Sequence, residues 1–126
     1  MNELLGSWYT SDDMAISSDV NFKNSITDVA DSYSVFFDNL RPVNYKYNDG
    51  RSQRFHTGFI AQEVDEALKL AGLTRADFAG LCIADEGTDK EYWGLRYSEF
   101  VSLNTYEIQK LKKDLNSLNR SSKNGQ

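Results

Sequence analysis

Apolar positions change period several times along the chain, and each change marks an element. Residues 18–30 carry Ile26 and Val29 at irregular spacing and read as a loop with short extended or helical pieces. "DSYSVFFDNL" opens on residues that favour helix N-caps. It then spaces Tyr33, Val35, Phe36 and Leu40 at mixed threes and fours, which predicts a short helix stopped by Arg41-Pro42. "VNYKYNDG" alternates Val43, Tyr45 and Tyr47 with polar residues and ends on Asp49-Gly50, a hairpin signal whose partner strand would lie in "SQRFHTGFIA". "AQEVDEALKLAGL" returns to helical spacing through Ala61, Val64, Leu68 and Ala71, with Gly72 as its stop. "FAGLCIAD" and "EYWGLRY" flank "EGTDK" as a second hairpin.

The final pattern is the most regular. Val101, Asn104, Ile108, Leu111, Leu115 and Leu118 follow alternating steps of three and four, a narrow seam along a helix of about residues 98–118. Such a seam fits a coiled coil better than a helix packed on its own domain, which needs a wider apolar stripe, and Asn104 is a polar residue of the kind that fixes register. The expected fold is α+β: a small lobe of β-hairpins and short helices plus a long C-terminal helix forming a coiled coil. Residues 119–126 read as a frayed, disordered tail, and residues 1–17, short and polar apart from Trp8 and Tyr9, as the end of something upstream.

Composition narrows the function. At 126 residues the chain holds one modest core. Fourteen Lys and Arg against nineteen Asp and Glu give a net charge of −5, which disfavours nucleic acid and anionic membranes as partners. No segment approaches the roughly 20 apolar residues of a membrane helix. Cys82, the single cysteine, forms no intrachain disulfide or thiolate zinc site and reads as a small buried hydrophobe.

Phosphate-binding glycine loops, dinucleotide fingerprints, HExxH and GxSxG are all missing, and no cofactor or metal is expected. Asp12-Asp13 and the group Asp85, Glu86 and Asp89 lack calcium-loop spacing and read as acidic turns. His56, the only histidine, reads by itself as a structural hydrogen-bonder. Ser18 and Lys23 are different in kind: a serine hydroxyl becomes a nucleophile when a neutral lysine takes its proton, and Phe22 stands next to Lys23 as apolar cover. Spacing alone does not separate such a pair from chance, because a serine and a lysine five apart occur in many chains.

Four stretches in order carry a more specific signal: "SDVNFKNSI" from Ser18, "FFDNLRPVNYKYND" from Phe36, "HTGFIAQEV" from His56 and "YWGLRYSEFVSLNTYEIQKLKK" from Tyr92. Together they resemble the peptidase S74 family, the C-terminal intramolecular chaperone domains of phage tailspikes, tail fibres and neck appendages, also called endosialidase-type chaperones. The resemblance covers about residues 18–113. It implies a homotrimer built on the terminal helices, a chaperone that helps an upstream fibre domain of the same chain to fold, and release by one self-inflicted cut.

Carried onto this chain, the resemblance implies cleavage of the Ser17–Ser18 bond, with Ser18 as nucleophile and Lys23 as general base in a Ser-Lys dyad that turns over once. His56 becomes a site residue that orients the scissile region, and Asp19, Gln62 and Glu63 become supporting motif residues. The domain then spans residues 18–118 behind a leader of residues 1–17. It acts in the host cytoplasm during phage assembly, and the upstream fibre goes on to the virion. The alternative is a non-cleaving trimerisation or attachment module at the end of a fibre.

Overall fold

The computed structural model describes residues 15–50 and 52–124. Asp12-Asp13, Trp8 and Tyr9 of the leader lie outside the described residues. The architecture is α+β, as expected: three α-helices and two antiparallel two-stranded sheets among the described residues.

Helix α1, Ser32–Asp38, forms where the helical spacing predicts, and it buries Phe36 completely. Its first turn is not capped as the sequence suggests. The Asp31 side chain makes no cap bond; its carboxylate accepts a 3.0 Å hydrogen bond from the Tyr106 hydroxyl and so ties α1 to the terminal helix. Strands β1, Val43–Tyr45, and β2, His56–Gly58, pair antiparallel with Tyr45 opposite His56. This hairpin corrects the expectation of a tight turn at Asp49-Gly50. Pairing stops at Tyr45, Gly50 takes the left-handed conformation (φ 72°) within a longer loop, and Phe55 turns outward, where Lys46 Nζ sits 4.7 Å from its ring centre.

Helix α2, Ala61–Leu70, sets Val64, Ala67 and Leu68 on one buried face. It stops at Gly72 (φ 71°), where the Gly72 and Leu73 amides donate to the Lys69 and Leu68 carbonyls, the paired bonds that satisfy a helix C-terminus. Strands β3, Leu81–Ala84, and β4, Tyr92–Leu95, form the second hairpin in the expected place. Cys82 on β3 is half-buried, not fully buried as read from its apolar run. In the connecting turn Asp85 adopts φ 52°, and Glu86 pairs with Arg75 at 3.0 Å.

The core gathers one cluster from every helix: Phe36 of α1, Leu68 of α2, Phe78 ahead of the second hairpin and Leu81 at the start of β3, then Phe100 and Leu103 at the root of α3, Val101–Asn124. Phe36, Phe78 and Phe100 form a tight aromatic triangle, with centroids 4.9 Å apart for the first pair and 5.0 Å for Phe78 and Phe100. Ser34, the buried polar residue of α1, donates to Glu107 at 2.7 Å and accepts from Lys110 at 3.2 Å. Those bonds seat α1 on the first turns of α3.

Beyond that root, α3 runs on to Asn124, six residues past its expected end. The stretch after Leu118 contains no proline, and its first glycine is Gly125, so nothing in it stops a helix. The seam does not pack on its own domain. Val101, Ile108, Leu111, Leu115 and Leu118 are all between 55% and 69% exposed, and Asn104 is exposed beside them.

Candidate active site

Ser18 sits in extended chain just before a single 3-10 turn, Val20–Phe22. Asp19 caps that turn: its carboxylate accepts from the Asn21 amide at 2.9 Å, while its carbonyl accepts from the Phe22 amide at 3.0 Å. Lys23 closes the turn through its own amide to the Val20 carbonyl, 3.2 Å. The reversal carries the Lys23 side chain back over the chain, and Nζ reaches Ser18 Oγ at 2.6 Å. A spacing of five residues, uninformative by itself, is what one capped turn needs to bring these two atoms together.

In that bond an ammonium donates to the hydroxyl, and an ammonium has no lone pair with which to take the serine proton. Catalysis therefore requires the neutral amine, which apolar cover favours. The surrounding side chains are apolar but uncovered: Phe22 is 80% exposed, and Ile16, Val20 and Ile26 are exposed as well.

His56 lies elsewhere in the fold. Its ring stacks on Tyr45 (5.5 Å, 25°) and meets the edge of Tyr47 (5.0 Å, 65°). Nε2 is buried and accepts no hydrogen bond. Among the described residues no hydrogen bond or ring contact joins His56 to Ser18 or Lys23. The Tyr45 and Tyr47 hydroxyls are 3.3 Å apart, and this bond, reinforced by burial, pushes the Tyr45 phenol up to about 12. These two tyrosines were not singled out from sequence, although the alternation of "VNYKY" and the pairing of Tyr45 with His56 carry the signal.

The remaining motif residues have structural partners. Glu63 receives a two-pronged bond from Arg41, at 2.8 and 2.6 Å, which holds its carboxyl below the usual carboxylate range. This pair links α2 to the "LRP" bend and leaves Glu63 engaged away from the dyad. Gln62 is exposed and borders a shallow cleft with Tyr45, Tyr47, Trp93 and Tyr97. Gly58, inside the "HTGFIAQEV" stretch, is required sterically: a Cβ there would collide with the Tyr97 hydroxyl, which accepts a 3.1 Å hydrogen bond from the Phe59 amide.

Comparison with known proteins agrees with this architecture. Residues 18–73 match the family model Peptidase_S74, chaperone of endosialidase. The chain is 29% identical over 84 residues to "Depolymerase 1, capsule K3-specific" of Klebsiella phage KP32; the match covers 63% of this chain and 10% of that protein. The chain thus spans about a tenth of the curated relative's length. A crystal structure described as a novel intramolecular chaperon superposes with a TM-score of 0.62 at 20% identity, covering 76% of this chain and 99% of that one, a likeness of fold. The resemblance therefore holds, and residues 18–73, which include the first three of the four motifs, carry the Peptidase_S74, chaperone of endosialidase, signature.

Proposed function

We propose that this chain is an intramolecular chaperone that trimerises through α3, assists folding of a fibre segment N-terminal to it, and releases that segment by one cut at Ser17–Ser18. The observation that carries the proposal is the 2.6 Å contact between Lys23 Nζ and Ser18 Oγ on a turn shaped by Asp19. The open seam of α3 supports the trimer: it is apolar, regular and uncovered in the single chain. The phage depolymerase relative supports the fibre context.

The chemistry needs few residues because nucleophile and target are covalent neighbours. Neutral Lys23 takes the Ser18 hydroxyl proton as Oγ attacks the Ser17 carbonyl carbon. The C–N bond to Ser18 breaks, the departing nitrogen takes the proton back from Lys23, and an ester joins Ser17 to Ser18 Oγ. Water then hydrolyses the ester, leaving a Ser17 carboxylate and a free Ser18 hydroxyl and amine. Proximity of this kind is worth up to about 7–11 kcal/mol, so no substrate pocket is required. His56 has a positioning role in this scheme, through the Tyr45 and Tyr47 face and not by contact with the dyad of its own chain.

A non-cleaving trimerisation module would use the same seam, so only the fate of the Ser17–Ser18 bond separates the two readings. Intact-mass measurement of the assembled chain beside Ser18→Ala tests the proposal. A parent shortened by residues 1–17 and an uncut variant are expected; an uncut assembled parent would favour the passive module.

A further inference from the structure

The seam of α3 has two open flanks, and they are built differently. On one, residues 27–29 run beside Val101, Thr105 and Gln109 and border an open groove of about 910 Å³. On the other, Phe37 of α1 meets Asn104, Glu107, Ile108 and Leu111 around a mostly apolar hollow of about 410 Å³. A ring of copies related by rotation is heterologous, so one flank of each copy faces the opposite flank of the next.

Charge supports that arrangement. Glu107, whose carboxylate also accepts from Ser34 at 2.7 Å, borders the Phe37 hollow, and Lys112, five residues further on, falls on the opposite flank of the seam, the spacing at which charges pair across parallel coiled-coil helices. The dyad segment joins the fold at residues 27–29, on the flank that faces the neighbour's Phe37. Among the described residues its apolar side chains are largely uncovered, with Val20 67%, Phe22 80% and Ile26 65% exposed.

We infer that the Phe37 flank of one copy receives the dyad segment of the next, so that Val20, Phe22 and Ile26 are covered, and Lys23 is desolvated, by a second copy of this chain. Phe37 is then a positioning residue that acts on a dyad it does not belong to. The inference rests on the trimeric, self-cleaving reading above and adds the surface that completes the site.

Mixed assembly tests it, with sedimentation reporting the trimer and intact mass reporting the cut. Phe37→Ser, which keeps its own dyad, is expected to assemble and to cleave at least about tenfold more slowly than the parent, the factor that partial loss of one phenylalanine's burial represents. Co-expressed with a Ser18→Ala chain, which has no nucleophile but an intact Phe37, the Phe37→Ser chain is expected to be cut again. Phe37→Leu is expected to stay close to the parent. Phe22→Ser, which uncovers its own dyad, is expected to be slow alone and slow in the mixture. Cutting of Phe37→Ser trimers at the parental rate, or a Phe37→Ser chain that mixing does not rescue, would overturn the inference and leave the functional reading standing. If Phe37→Ser does not assemble alone, the mixed trimer decides: a cut there supports the inference and no cut overturns it. A parent that is monomeric, or trimeric and uncut, would overturn both.

Discussion

The 2.6 Å bond from Lys23 to Ser18 makes two demands on residue 23: a donor that reaches the hydroxyl, and a group that can give up its proton. Arginine meets only the first, because guanidinium is not deprotonated in proteins. Lys23→Arg is therefore expected to keep the turn and lose cleavage, read by intact mass. At Gly58 the demand is for space. Gly58→Ala is expected to lower stability by about 1–3 kcal/mol in denaturant melts, as overpacking does, because the Tyr97 hydroxyl occupies the position of the new methyl. Glu63 titrates below the ordinary carboxylate range through its bond to Arg41, so its contribution is present at neutral pH and is lost as pH falls through that lowered value. In Arg41→Ala the Glu63 carboxyl is expected to return to the ordinary range, followed by NMR titration. The serine and lysine were legible in the sequence through their motif. The turn that joins them was not, because the capping role of Asp19 depends on a local backbone path that no periodicity records.

Element type followed period closely, whereas ends and loops set by local or tertiary contacts did not: α3 runs to Asn124 and not to Leu118. Helix α2 and its Gly72 stop follow directly from spacing and from the left-handed conformation glycine tolerates. The first hairpin paired where expected, yet its loop does not obey the Asp49-Gly50 signal, because its strands are only three residues long and pairing ends at Tyr45. Asp31 shows the same limit, since a carboxylate that looked like a cap is used by Tyr106 instead. Helix α3 offers the sharpest contrast in consequence. Leu68 is buried in the core, and Leu68→Ala is expected to cost about 2–5 kcal/mol in thermal or denaturant unfolding. Leu111 is 69% exposed, so Leu111→Asp is expected to leave the fold of the single chain intact by circular dichroism while abolishing sedimentation as a trimer. A monomer with native circular dichroism separates the seam's role from the core's.

At the scale of the molecule, a compact root and a bare helix divide the labour. The core closes around Phe36, Phe78 and Phe100 without using the seam, and the dyad segment leaves that core with its apolar side chains uncovered. In the proposed account both unburied surfaces are covered by the same event, assembly, so the cut follows it. Once residues 1–17 and the fibre segment before them are released from the chaperone, the fibre is held by slow unfolding, since the nucleus for refolding has left. The central claim is that Ser18 cuts its own chain once the trimer forms. Its most direct test is intact mass of the sedimentation-purified trimer beside the Leu111→Asp monomer and the Ser18→Ala trimer. The account predicts loss of residues 1–17 in the parent trimer alone, with both variants whole. A whole parent trimer, or a monomer cut as fast as the parent, would contradict it.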